Sequence, residues 1–232
     1  MKISSPVKRA RSVTRSAPAR KAVVAVAPAP SRKKAPARAA PAAARARAVA
    51  KAKAVAPGVP ARLGSTPATK YRGSPDIFGR LVEDHDRHRA LLAMLFETPG
   101  KSPERQRIFR ALVREIKAHA AAEEQALWSS VMRNPQTTED ARHAVGEHKE
   151  MDKMLADMAA RDMTSSGWLR RFETVREAYL HHIGEEEQKQ FKAAEKHLTA
   201  SDLRHLRQVF NARKAAEKAT VKVVKKIRRK SE

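Results

Sequence analysis

The chain has 232 residues, enough for one ordinary domain with extensions, and its 49 Lys and Arg against 25 Asp and Glu give a net charge of +24. It has no cysteine, which excludes disulfides, zinc–thiolate and iron–sulfur ligation, and thiol catalysis by this chain. No apolar run approaches the roughly 18–20 residues of a membrane span, and Val23 to Ala29 is too short and too interrupted by proline for a signal-peptide core. The expected setting is the cytoplasm.

The charge is unevenly spread. Residues 1–72 carry 18 basic residues and no acid, residues 73–210 are nearly neutral at −1, and residues 211–232 carry +7. The first segment is mostly Ala, Pro, Lys, Arg, Val and Ser, with prolines from Pro6 to Pro67. High charge and few large apolar side chains give too little burial to offset the entropy of ordering, so residues 1–72 read as a disordered basic tail. Within it only Ala42 to Ala56, free of proline, has helical promise.

The middle reads as four amphipathic helices in a bundle core spanning residues 73–200. Ser74-Pro75-Asp76 has the form of a helix start, a hydroxyl cap followed by proline and an acid, and Thr98-Pro99-Gly100 ends that helix. Ser102-Pro103-Glu104 repeats the opening for a second helix, with Phe109, Leu112, Ile116, His119 and Glu123 on one stripe, ending at Asn134-Pro135. Thr138 opens a third, carrying Val145, His148, Leu155 and Met158 on one face. A fourth begins near Ser165 or Ser166 and runs to about Leu198, with the stripe Phe172, Val175, Tyr179, His182 and Glu186. Thr199 with Asp202 then starts a shorter helix leading into the basic end, residues 201–232. Short connections and apolar stripes predict an all-α, antiparallel up-down four-helix bundle with a short C-terminal helix and disordered basic tails.

The second and fourth helices contain a repeat. His119-Ala-Ala-Ala-Glu123-Glu124-Gln125 and His182-Ile-Gly-Glu-Glu186-Glu187-Gln188 share His, the glutamate pair and Gln at equal offsets, with an aromatic at Trp128 and Phe191. A His and a Glu four residues apart lie one turn apart on one face and can aim at one ion. The first and third helices add His85 and His148 on their apolar stripes. Two buried, uncompensated carboxylates would cost several kcal/mol each, a cost that a pair of cations removes. Imidazole and carboxylate together suit iron, manganese or zinc, and six protein ligands exceed one tetrahedral zinc. The donors therefore point to two metals bridged by Glu123 and Glu186, with an oxo or hydroxo bridge and one open position each.

This pattern resembles the hemerythrin-like family, the HHE cation-binding domain, over about residues 75–200. Its motif positions correspond to His85, His119 with Glu123, His148, and His182 with Glu186. The resemblance implies a non-haem di-iron centre, with manganese as the alternative metal, that meets oxygen, nitric oxide, peroxide or iron itself. Two departures stand out. Asp152 occupies the position of the additional histidine of oxygen-carrying hemerythrins, and the cysteine-bearing N-terminal region of the iron–sulfur-repair relatives is absent. Whether the chain turns over as an enzyme, senses or stores is left open, as is its oligomeric state.

Other residues receive plainer readings. His88 is core or an outer partner of the site, Asp152 an outer partner or extra ligand, and Glu124, Glu185 and Glu187 solvated or supporting acids. His181 is passed over for His182 by the repeat register. His143, His197 and His205 belong to no constellation, and Trp128, Phe191 and Tyr179 are packing residues. The tails support an alternative function. Dense Lys and Arg would bind nucleic acid non-specifically and weaken steeply with salt, making the chain a nucleoid-associated protein with the bundle as scaffold.

Overall fold

A computed structural model describes residues 41–63, 66–100 and 102–221 of the chain. Among these residues all regular structure is helical. Helix α1, Pro41–Lys53, falls where the proline-free stretch Ala42 to Ala56 gave helical promise, so the described part of residues 1–72 is not disordered throughout. Ala44, Ala48 and Ala52 recur every fourth position, forming a smooth buried stripe that lets α1 lie close against the next helix. Farther on, Tyr71 and Arg72 are also buried. Alanines packed against a neighbour order α1, and the larger Tyr71 and Arg72 anchor the segment's end against Phe78 and Asp86 of the next helix. Residues 1–40 and 222–232, which hold most of the basic tails, lie outside the described residues.

Gly73, at φ 81°, turns the chain toward α2, Ile77–Phe96. The N-cap of α2 is Asp76, whose carboxylate accepts from the Gly79 amide at 3.0 Å. The expected cap Ser74 lies two residues too early and instead donates its hydroxyl to Asp76. Gly79 is required here, because a Cβ at that position would stand 2.0 Å from the Ser74 carbonyl oxygen. Helix α3, Pro103–Glu123, starts as expected, with Ser102 accepting from the Arg105 amide at 3.4 Å.

Helix α3 then widens into a π-helical turn, Glu124–Trp128, and continues as α4, Ser129–Val131. Helix α5 spans Thr138–Ala160 and α6 spans Trp168–Glu185. The start of α6 falls after the expected serines, because the Trp168 amide closes a turn on the Ser165 carbonyl. Like α3, α6 widens into a π-helical turn, Glu186–Gln190, before α7, Phe191–Glu195. Helix α8, Ala200–Thr220, opens with a reciprocal capping box between Thr199 and Asp202. At 21 residues it is as long as α3, not the short appendage expected.

Contacts join α2 to α3, α3 to α5, α5 to α6 and α6 back to α2, closing a ring of four helices. Helix α8 packs on α3 and α2, so the C-terminal helix belongs to the same body. Two apolar clusters fill the interior. One contains Leu91, Leu95, Phe109, Leu112, Trp168 and Phe172, and the other Phe78, Leu81, Leu127, Trp128, Phe191 and Phe210. Along every helix of the ring the change from one cluster to the other falls at a buried polar residue. On α2 it lies between Val82 and Ala90, where His85 is placed. On α5 it lies between Ala144 and Met151, where His148 is placed.

Candidate metal centre

All six residues singled out by the repeat are buried, and they meet in this polar layer. His85 Nε2 lies 3.2 Å from His119 Nε2 and 3.4 Å from Glu186 Oε2. His119 Nε2 is 3.3 Å from Glu123 Oε2. On the other side His182 Nε2 is 3.5 Å from Glu186 Oε1, and His148 Nε2 is 3.7 Å from Glu123 Oε2 and 3.9 Å from Glu186 Oε1. The donors form two groups, His85–His119–Glu186 and His148–His182–Glu186, in each of which the atoms lie within 4.8 Å of one another.

These separations are mostly long for hydrogen bonds. They suit neighbouring ligands of one ion: bonds of about 2.0–2.2 Å place adjacent donors roughly 3.0–3.5 Å apart. Neither oxygen of Glu123 or Glu186 has a hydrogen-bond partner, and nor does His148 Nε2. Buried carboxylates left in that state are expensive, so the donor set fits a pair of cations by its own unmet demand.

The outer partners strengthen this reading. Every one of the four histidines offers Nδ1 to a carboxylate: His85 to Glu187 at 2.9 Å, His119 to Asp84 at 3.2 Å, His148 to Glu124 at 2.9 Å and His182 to Glu147 at 2.8 Å. An ionised carboxylate only accepts, so the proton resides on Nδ1 and the Nε2 lone pair faces inward. Two such lone pairs 3.2 Å apart, as in His85 and His119, repel unless a cation lies between them.

The partners follow a pseudo-symmetric rule. The acid just before His85 or His148 (Asp84, Glu147) supports the histidine of an H-x-x-x-E helix. The acid just after Glu123 or Glu186 (Glu124, Glu187) supports the histidine of α5 or α2. Consecutive residues of an α-helix point about 100° apart. At Glu123–Glu124 and Glu186–Glu187 the π-helical turns begin, and the widened backbone brings both carboxylates of each pair toward the centre.

The supports differ in burial. Asp84 also receives Lys214 of α8 and Arg80, and Lys214 reaches Glu115 at 3.0 Å. Glu187 receives Arg89 at 2.9 Å, Arg89 holds Asp86, and Asp86 takes Arg72 in a two-pronged pair at 2.7 and 2.9 Å. All these groups are buried except Arg80, which is nearly so. By contrast, the side chains of Glu124 and Glu147 are 39% and 25% exposed. Two surface grooves, of about 400 and 480 Å³, reach His148 with Glu124 and His182 with Glu147 respectively.

Protonation follows the same geometry. Burial lowers His85 to about 4, and burial lowers His182 against the pull of Glu147. Both are thus neutral, as ligation requires. Burial opposes charge on His119 too, but Asp84 and Glu123 overcome it and hold its value up. Burial and then the charge of Glu123 push Glu186 well above the carboxylate range. Burial works against Asp84, yet Lys214 and Arg80 keep it well below that range.

The remaining candidates fall into place. His88 is buried, its Nδ1 2.6 Å from the Tyr179 hydroxyl, so Tyr179 does bond within the polar layer. Asp152 is half exposed, pairs with Lys117 at 2.7 Å and lines the groove that reaches His148. His181 is exposed, and Phe191 lies almost parallel to the His85 ring with centroids 6.0 Å apart. His143 does belong to a constellation, with Glu147 and Glu185. Asp84, Glu147 and Lys214 were missed in the sequence. The first two stand directly before candidate ligands, and that adjacency was the available signal. The nucleic-acid reading rests mainly on residues outside those described.

The hemerythrin HHE cation binding domain matches residues 76–194, just over half of the chain, and the chain belongs to that family. A crystal structure of a hemerythrin HHE cation binding domain-containing protein from Mycobacterium kansasii is similar in fold, with a TM-score of 0.55 and 20% sequence identity. The similarity covers 66% of this chain and 90% of that one. Among curated proteins none matches the chain. Among the described residues no helix is long and apolar enough to cross a membrane.

Proposed function

We propose that the chain is a hemerythrin-like di-iron protein, an antiparallel up-and-down bundle in which His85, His119, His148 and His182 ligate two ions and Glu123 and Glu186 bridge them. The observation that carries this reading is the set of unpartnered oxygens of Glu123 and Glu186, enclosed by four imidazoles whose Nδ1 atoms are all engaged by carboxylates. His85 with His119 would serve one ion and His148 with His182 the other. Bound iron supplies one-electron chemistry toward oxygen, nitric oxide or peroxide. The chain's own part is to orient the imidazoles, neutralise the ions with two carboxylates and keep water out with the apolar clusters on either side. A small molecule would approach from the α5 side, where the grooves reach His148 and His182.

Metal analysis and an optical spectrum of aerobically purified protein test this, beside a His119→Ala, His182→Ala double variant. Two irons per chain with near-ultraviolet charge-transfer absorption, both lost in the variant, is the expected result. A folded wild-type protein that takes up no ferrous iron under anaerobic conditions overturns it.

A further inference from the structure

On the surface next to this centre, His143 and Glu147 of α5 face Glu185 at the end of α6. His143 Nε2 lies 3.5 Å from Glu147 Oε1 and 3.7 Å from Glu185 Oε2. The three donor atoms fall within 4.8 Å of one another. His181 Nε2 approaches the same Glu185 oxygen at 3.6 Å, a fourth donor on the rim. As in the inner site, these distances exceed ordinary hydrogen bonds and suit donors sharing one ion. Lys189 holds Glu185 through the other oxygen, Oε1, at 2.6 Å, so the oxygen facing the histidines is left for a ligand.

Glu147 connects this cluster to the interior. Its Oε1 faces His143, while its Oε2 accepts from Nδ1 of His182. One carboxylate thus spans the solvent-facing donors and a residue of the buried layer. The groove of about 480 Å³ that opens here is lined by His143, Glu147 and His182 together. The outer acids of His85 and His119, Glu187 and Asp84, are instead buried under Arg89 and Lys214.

We infer that His143, Glu147 and Glu185, with His181, form a solvent-facing site for a divalent first-row metal cation, which receives ferrous iron on its way to the position served by His148 and His182. The loading role rests on the di-iron reading; the surface site itself does not. Two imidazoles and two carboxylates match such an ion and make a poor site for an anion. Weak, exposed coordination suits a stage that must release its ion inward.

The test uses the full-length protein with its inner iron already loaded. It is titrated with Co²⁺, and bound cobalt is counted by equilibrium dialysis, beside a His143→Ala, Glu185→Gln variant that keeps Glu147. One additional ion per chain is expected, absent from the variant. Ferrous uptake by the metal-stripped chain should be slowed about tenfold in the variant, the lower range for loss of metal-supporting groups, with the same final iron content. No additional cobalt in the wild type, or equal cobalt in both proteins, overturns the site, and equal uptake rates overturn its role in loading. If neither protein takes up inner iron while the wild type alone binds cobalt, the di-iron reading fails and the surface site stands.

Discussion

The two ends of the polar layer present the same inner donors on different foundations. Around His85 and His119 the supporting acids are sealed from water and tied to Arg89, Arg72 and Lys214. Around His148 and His182 the supporting acids reach solvent and line grooves. The contrast separates two demands within one site. A buried, multiply paired acid fixes an imidazole rigidly, whereas a partly exposed one leaves room for something to come and go. The repeat in the sequence concerns the inner donors; the asymmetry arises from what packs outside them, above all α8.

The largest expected effect is the one that ignores this asymmetry. Glu186 belongs to both donor groups, so Glu186→Ala should take metal content from two ions per chain to less than one, measured by elemental analysis. Next, Lys214→Met leaves Asp84 and Glu115 buried beneath fewer cations. Breaking a buried ion pair on one side costs about 3–5 kcal/mol, and chemical denaturation should show a loss of that order.

Smaller effects sharpen the contrast. Asp84→Asn and Glu147→Gln each remove a carboxylate from a ligand imidazole and should weaken metal binding about 10- to 100-fold. Only Asp84→Asn should also lower the stability of the metal-free protein, because only Asp84 is paired to a buried lysine. Equal stability losses in the two variants would remove the distinction between the ends. The smallest effect is on pH dependence. Burial opposes ionisation of Glu115, yet Lys214, Arg87 and Lys218 hold it below its ordinary 4.5. A lowered carboxylate contributes stability above its unfolded value, which is lost as pH falls through the folded one. Stability should therefore fall as pH drops below about 4.5, and Glu115→Gln should flatten part of that slope.

How much of this was legible beforehand depended on whether the signal was local. The i, i+4 spacing of His119 with Glu123 and His182 with Glu186 is a property of one helix, and it led directly to the buried layer. The capping box at Thr199 was legible for the same reason. The helix within residues 41–72 was legible from its freedom from proline, but its packing was not, because that depends on the fit of alanines and of Arg72 against α2, which no local pattern displays. Lys214 was hidden likewise, as a basic residue in a basic segment whose partners lie about 100–130 positions earlier. His143 looked solitary because one of its neighbours, Glu185, comes from another helix.

The π-helical turns make chain length itself a functional quantity. Gln125 and Gln188 are exposed members of these turns. Deleting Gln125 would spare every donor and every supporting acid. It would nevertheless return the helix to 3.6 residues per turn, so that Trp128 takes the i+4 place on the Glu123 face and stays in the core, while Glu124 is turned about 100° from Glu123 and away from His148. A gap of one residue there is thus equivalent to losing a side chain, although no named group is missing. The spacing of five from each buried glutamate to its aromatic, Glu123 to Trp128 and Glu186 to Phe191, is the written trace of that extra residue.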